Sequence, residues 1–146
     1  MQLISDMKNK KVAFALLDSS YRIPQHLQML AFNNYAKNNE IELAFYGGEL
    51  VGQEETHLLF LSYLNANIYT EFLFFSVRQF LTSQNKLQKD TIAMAIEMGK
   101  ALHFANENRI IRDLGDLKTL YLLTMSIDSQ LWKNRSHDLT LETRVS

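Results

Sequence analysis

Short apolar runs alternate with longer stretches of helical spacing along this chain, and this alternation predicts its secondary structure. Lys11 to Asp18 form a continuous apolar run that a polar cluster ends, which is typical of a strand buried on both faces. Similar runs predict three further strands, at Ile41–Tyr46, Tyr69–Ser76 and Leu102–Asn106. The pattern therefore predicts four short, buried strands.

The segments between these strands carry apolar residues at helical spacing. The first helix follows Pro24, which is tolerated in a first turn because its missing N–H has no partner there, and ends in the polar tract 37–40. The other helices are predicted at Glu54–Asn65, Asn85–Gly99 and Asp116–Trp132.

The order of these elements predicts the fold. Strands joined by helical crossovers form a parallel sheet with helices on both faces. We expect a three-layer α/β fold with a short sheet of about four strands in the order 2-1-3-4, flavodoxin-like or resolvase-like. The chain is expected to form a single domain over residues 1–146, with a polar, loosely ordered tail at 136–146.

Composition narrows the classes of function. The formal net charge of -1 argues against a general nucleic-acid binder, because no excess of cations neutralises phosphates. The absence of cysteine excludes disulfides and thiolate sites and fits a reducing cytosol. The N-terminus lacks the apolar core of a signal peptide, and the apolar runs are too short to span a bilayer. We therefore predict a soluble, cytoplasmic protein without membrane insertion.

Polar side chains follow each predicted strand, and the carboxyl ends of parallel strands meet at one edge of a sheet. This edge is expected to form a pocket, and the helix N-terminus after Arg22 adds free N–H donors and a partial positive charge. A phosphate, a carboxylate or a sugar suits this set of groups. The residues expected there are Ser19, Ser20, Tyr21, Arg22, Gly48, Glu49, Ser76, Arg78, Asn106, Glu107 and Asn108.

Each candidate has a structural alternative that the sequence leaves open. Arg22 suits an anion, and equally an ion pair with Glu49 or Glu107. The serines at 19 and 20 are typical of turns rather than nucleophiles. Glu107 is a candidate acid/base, or a solvated loop carboxylate. His103 lies inside an apolar strand and is expected to be packed and hydrogen-bonded internally.

The sequence predicts no metal site and no cofactor. None of the four histidines forms a His-x-x-x-His pair or another spacing typical of metal ligands. Glycine-rich dinucleotide and P-loop motifs are missing as well.

The last predicted helix carries two apolar stripes. One contains Leu117, Leu120 and Thr124, and the other contains Leu122, Met125 and Trp132. A helix that is apolar on two sides needs two partners, so the second stripe predicts a homodimer contact. A broad core-facing surface is the alternative.

Several short motifs resemble those of the sporadic carbohydrate cluster family of bacteria. They are the run from Tyr21 to Pro24 with Gln28, the pair Asn34–Tyr35, the region of Glu49, and the segment Ala101–Glu107. The resemblance spans residues 12–111 and implies a place in surface-polysaccharide (O-antigen, lipopolysaccharide or capsule) biosynthesis. The family itself has no defined biochemical activity. The family's positions that match are Arg22, Gln28, Glu49, Ser76, His103 and Glu107.

The chain departs from that family in two places. Val12–Leu16 replaces a Gly-Tyr-Arg-Gly-Tyr-like strand, and Gln79–Leu81 replaces a Leu-Pro after the third strand. An arginine that the family places in its first strand is therefore missing, which weakens the transfer of catalytic roles.

A second, more distant likeness is to the catalytic domain of serine recombinases. The strand order, the segment Leu73–Arg78 and the long last helix look like that domain. Val77 and Leu81 replace charged residues of its Asp-Arg-x-x-Arg motif, and no helix-turn-helix follows. A degenerate DNA-binding domain is thus the weakest of the functional hypotheses, and the likeness concerns the fold.

Together these features predict a protein that binds or modifies a sugar or sugar nucleotide. Arg22, Gln28, Ser76 and Arg78 are the expected substrate-binding residues, and Glu107, Glu49 and His103 the expected catalytic ones. Carboxylates without a cofactor support proton transfer, so an enzyme would be an isomerase, an epimerase or a lyase. The alternative is a non-catalytic dimeric scaffold or accessory subunit.

Overall fold

The computed structural model describes residues 11–18, 23–49 and 57–126, except for the side chains of residues 45, 46, 49 and 126. Five strands and four α-helices lie in these ranges, together with a 3-10 helix at Val77–Phe80. In chain order the elements are β1 (Lys11–Asp18), α1 (Gln25–Asn38), β2 (Ile41–Glu49), α2 (Leu58–Ala66), β3 (Glu71–Phe74), α3 (Lys89–Glu97), β4 (Ala101–Phe104), β5 (Arg109–Ile111) and α4 (Leu114–Ser126).

The strands form a single sheet in the order β2-β1-β3-β4-β5. β1, β2, β3 and β4 are parallel, and β5 runs antiparallel to β4. The predicted α/β fold and the predicted order 2-1-3-4 are therefore confirmed. β5 was not predicted, because three residues are too few to show an apolar period.

The two faces of the sheet carry side chains of different size. On one face, phenylalanines of β1, β3 and β4 pack under α2, α3 and α4, with Phe60 and Ile92 among the buried helix residues. On the other face, Ala13 and Ala15 leave room for α1, which packs through Phe32 and its neighbours. Helices therefore cover both faces, and the strands are buried on both sides as their continuous apolar runs predict.

β2 is longer than predicted and includes Gly47 and Gly48, which follow the predicted strand Ile41–Tyr46. A Cβ atom on Gly47 would clash with Cδ2 of Leu59 and would lie 3.0 Å from the ring of Phe14. Glycine therefore allows α2 to lie close to the sheet.

β3 and β4 are shorter than predicted. Residues 105–108 form the turn that leads into β5, with Asn108 at a positive φ of 53°. The N–H groups of Ala105 and Asn106 still donate to the carbonyls of Phe74 and Phe75, both at less than 3 Å. The two chain segments thus remain paired slightly beyond the strand ends.

The helix boundaries differ from the predicted ones for local reasons. α3 begins at Lys89 because residues 81–88 form a turn closed by a bridge between Leu81 and Leu87. α4 begins before Asp116, whose N–H donates to Oδ1 of Asp113 at 2.7 Å. The predicted start of α2 at Glu54, Trp132 of the last helix and the tail at 136–146 lie outside the described residues.

None of the helices in the described ranges is long and apolar enough to cross a membrane.

The aromatic packing around α2 gives a test of the core. The ring of Phe60 makes edge contacts with Phe72, Phe74 and Phe80 at centroid distances of 5.0, 5.1 and 5.8 Å. Phe60→Ala removes these contacts and leaves a cavity, so we expect the free energy of unfolding to fall by about 3–5 kcal/mol. Chemical denaturation measures it.

The control is Leu58→Ala, two residues earlier, where the leucine is 67% exposed and little stability should be lost. Equal losses in the two variants would contradict this description of the core.

Candidate functional site

The half-buried carboxylate of Glu107 links the ends of two neighbouring strands at the carboxyl edge of the sheet. Its Oε2 accepts the Ser76 hydroxyl at 2.7 Å, and its Oε1 accepts the N–H of Val77 at 2.9 Å. The side-chain amide of Asn106 also donates to Oε2, at 3.1 Å. Ser76 and Val77 follow β3 and Glu107 follows β4, so the convergence expected from a parallel sheet is present here.

A buried glutamine fixes the turn that carries Ser76. Oε1 of Gln79 accepts the N–H groups of Phe75 and Ser76 at 2.8 and 3.2 Å, and its Nε2 donates to the carbonyl of Leu16 at 3.1 Å. The Ser76 hydroxyl also accepts the N–H of Arg78 at 3.1 Å and so caps the 3-10 helix. The polar groups after β3 are therefore held against β1 as well as β4.

A second buried glutamine occupies the end of β1. Gln28 is fully buried in α1, and its Oε1 accepts the N–H of Asp18 at 3.0 Å. Its Nε2 donates to the carbonyls of Asp18 and Ile23, at 3.0 and 2.9 Å. The amide thus joins the two residues that flank positions 19–22. Gln28 was predicted to contact substrate; in this geometry its amide is bonded to backbone, and we assign it a positioning role.

For the other residues predicted at this edge, the structure describes only some positions and side chains. The backbone of Glu49 pairs in register with Asp18, so β2 also ends here. Arg78 is half-buried, beside Ser76 in the 3-10 helix. The side chain of Glu49 and the whole of Ser19, Ser20, Tyr21 and Arg22 lie outside the described residues.

The His103 side chain lies on the face of the sheet that α1 covers, away from Glu107. Its ring is buried, Nε2 lies 3.0 Å from Oε1 of Glu71, and Nδ1 lies 2.8 Å from the Tyr35 hydroxyl. The prediction of a packed, internally bonded histidine is confirmed. Its expected catalytic role stays a prediction, since both ring nitrogens have partners inside the protein.

Glu71 is surrounded by positive or hydrogen-bonding groups. Besides His103, the Nζ of Lys11 and a terminal nitrogen of Arg112 lie 3.7 and 3.8 Å from its Oε1. Burial raises the pKa of Glu71, but the His103 hydrogen bond and the nearby positive charges outweigh it and lower the pKa below its usual 4.5. Burial also raises the pKa of Tyr35 to about 12, which keeps the phenol protonated at neutral pH.

The sequence analysis assigned no site role to Glu71, Tyr35 or Gln79, although Tyr35 lies in one of the motifs that carry the family resemblance. The contact between Glu71 and His103 depends on the register of β3 and β4, in which Leu73 lies opposite His103. Register cannot be read from one apolar run. Gln79 follows Ser76 at the spacing of a capping box, and this was the one local signal available.

The groups described at the carboxyl edge can donate and accept hydrogen bonds. A carboxylate, amides and hydroxyls accept and donate the hydrogen bonds that sugar hydroxyls make. Within the described ranges, no three His, Asp or Glu side chains are grouped so that they could hold a metal ion.

No protein-family model matches this chain, and a search of curated proteins finds no significant match. The likenesses to carbohydrate-cluster proteins and to serine recombinases therefore remain expectations from the sequence motifs.

The positioning role of Gln28 can be tested by an isosteric change. Gln28→Met keeps the volume but leaves the backbone groups of Asp18 and Ile23 without these partners, and unsatisfied buried groups cost about 1–3 kcal/mol each. We expect the free energy of unfolding to fall by about 2 kcal/mol or more. Gln25→Met is the control, because Gln25 is exposed on the same helix. A loss in Gln28→Met no larger than in the control would contradict the assignment.

Proposed function

We propose that this protein binds a sugar or sugar nucleotide at the carboxyl edge of its sheet and acts in the biosynthesis of a bacterial surface polysaccharide. The observation that carries the binding proposal is the fixed carboxylate of Glu107, held by Ser76 and Val77 between the ends of β3 and β4. The proposed role in polysaccharide biosynthesis comes from the motif resemblance to carbohydrate-cluster proteins.

Glu107 retains acceptor capacity for a ligand. A carboxylate has about four lone-pair positions. The described bonds from Ser76, Val77 and Asn106 use three of them. A sugar hydroxyl can donate to the remaining position on Oε1, while the exposed amide of Asn106 lies alongside. Because protein groups already fix the carboxylate, little entropy is lost when it binds a hydroxyl.

The phosphates of a sugar nucleotide need positive charge. The residues we propose for this role are Arg78, two residues after Ser76, and Arg22, at the predicted start of α1. If the protein is an enzyme, Glu107 or Glu49 is the proposed acid/base of a cofactor-independent isomerase, epimerase or lyase reaction. In this proposal His103 does not contact the substrate, because its ring is bonded to Tyr35 and Glu71; it affects the site only through the position of β4.

The test is a binding measurement with UDP-glucose, UDP-N-acetylglucosamine and GDP-mannose, by thermal shift and calorimetry. We expect at least one of them to raise the unfolding temperature of the wild-type protein. Glu107→Gln should weaken that binding at least tenfold, since the amide offers an N–H where the ligand needs an acceptor, and Arg22→Ala should weaken it by loss of charge.

The control is Glu97→Gln, a change of the same kind at an exposed carboxylate on α3, which should leave affinity unchanged. Wild-type protein that binds none of the three compounds, or Glu107→Gln protein that binds as tightly as the control, would refute the proposed site.

A second candidate function, a non-catalytic dimeric scaffold, is favoured by the outer face of α4. Leu117, Leu120 and Thr124 are buried, as predicted for the core-facing stripe. Leu122 and Met125, from the second predicted stripe, are 55% and 52% exposed. At 3.6 residues per turn these two lie on one face of the helix, where a second copy could dock.

This alternative predicts a homodimer in solution. Leu122→Glu places a charge in the proposed contact and should convert the dimer to a monomer in sedimentation velocity. Met94→Glu, at a partly exposed position on α3, should leave the dimer intact. A wild-type protein that sediments as a monomer at every concentration would exclude the dimer.

A further inference from the structure

A buried polar network joins three elements on the α1 side of the sheet. Tyr35 contributes its hydroxyl from α1, His103 its ring from β4, and Glu71 its carboxylate from the first position of β3. All three side chains are at least nine-tenths buried. This network lies apart from Ser76 and Glu107 and is independent of the function proposed above.

The positions of the protons follow from the partners. An ionised carboxylate only accepts hydrogen bonds, so Nε2 of His103 carries the proton that faces Glu71. In a neutral ring Nδ1 is then the acceptor, and the Tyr35 hydroxyl donates to it. Every group in the chain Tyr35–His103–Glu71 is satisfied in this one arrangement.

The charged groups that face the network favour that arrangement. Lys11 of β1 and Arg112 after β5 both lie within 4 Å of Oε1 of Glu71, and each is about half exposed. Their positive charges stabilise ionised Glu71. Within the described ranges, Tyr35 and Glu71 contact the His103 ring, and Lys11 and Arg112 face the network through Glu71.

The network is also a polar attachment of α1 to the sheet. Gln28 bonds the first half of this helix to the end of β1, and Tyr35 bonds its second half to β4. Gln28 and Tyr35 are seven positions apart, which is close to two helical turns, so both side chains point to the sheet. A change at Tyr35 therefore acts on the same rigid element that holds Asp18.

We propose that Tyr35, His103 and Glu71 form an acid-released lock that holds the second half of α1 on the sheet. Protonation of Glu71 removes the negative charge that strengthens its bond to the His103 ring and that pairs with Lys11 and Arg112. Loss of that charge loosens the ring that Tyr35 contacts and so weakens the attachment of α1.

The direction of the pH effect follows from the lowered pKa of Glu71. A carboxyl group whose pKa is lower in the folded protein than in the unfolded chain stabilises the fold above its usual value of 4.5. That contribution is lost as the pH falls from about there through the lower value of the folded state. The lock is therefore closed at neutral pH and opens in acid.

Two NMR measurements on the whole protein test this proposal. Nitrogen-15 spectra of the His103 ring should show the Nε2–H form at pH 7. The amide-exchange protection factors of Phe32 and Tyr35 should fall at least tenfold between pH 7 and pH 3, while those of β1 fall less. An Nδ1–H ring at pH 7, or protection in α1 that does not depend on pH, would overturn the lock.

Variants separate the lock from general acid destabilisation. Glu71→Gln should show low α1 protection at both pH values and no further fall in acid, whereas Glu97→Gln should retain the wild-type pH dependence. Tyr35→Phe should lower α1 protection and leave the ring in the Nε2–H form. If Glu71→Gln does not fold, the wild-type spectra and the Tyr35→Phe variant still test the proposal. A Glu71→Gln protein with the wild-type pH dependence would contradict the proposal.

Discussion

The structure depends on how the backbone at the ends of buried parallel strands finds hydrogen-bond partners. A sheet covered by helices on both faces ends inside the protein, where water does not satisfy the last N–H and carbonyl groups. Here side chains do so: Gln79 bonds the backbone after β3 to the carbonyl of Leu16, and Gln28 bonds both backbone groups of Asp18. The carboxylate of Glu107 also accepts the N–H of Val77. These bonds set the geometry of the candidate site before any ligand is present.

The same constraint explains how the polar residues divide between two places. Glu107 and Ser76 meet where β3 and β4 end, next to exposed groups that a ligand can reach. His103 lies earlier in β4 and points to the face that α1 covers, where it meets Tyr35 and Glu71. Residues grouped by one motif resemblance thus fall into a set at the carboxyl edge of the sheet and a set that contacts α1. The first set is the one that we propose to contact a sugar.

Much of the fold could be predicted because its physical signals are local. The continuous apolar runs at Lys11–Asp18 and around Phe74 indicate strands buried on both faces, and the helical crossovers between them require a parallel sheet. The convergence of Ser76 and Glu107 followed from that topology. β5 could not be predicted from three residues, and the pairing of Glu71 with His103 depends on a register that no single segment encodes.

Glu107 and Ser76 are hydrogen-bonded across the ends of two strands, and we expect this bond to couple them energetically. A double-mutant cycle of Ser76→Ala and Glu107→Ala, measured by chemical denaturation, isolates the free energy of that interaction. Because one partner is a carboxylate, we expect a coupling of about 1 kcal/mol or more. Losses that simply add, with a coupling below about 0.3 kcal/mol, would contradict the claim that this bond fixes the site.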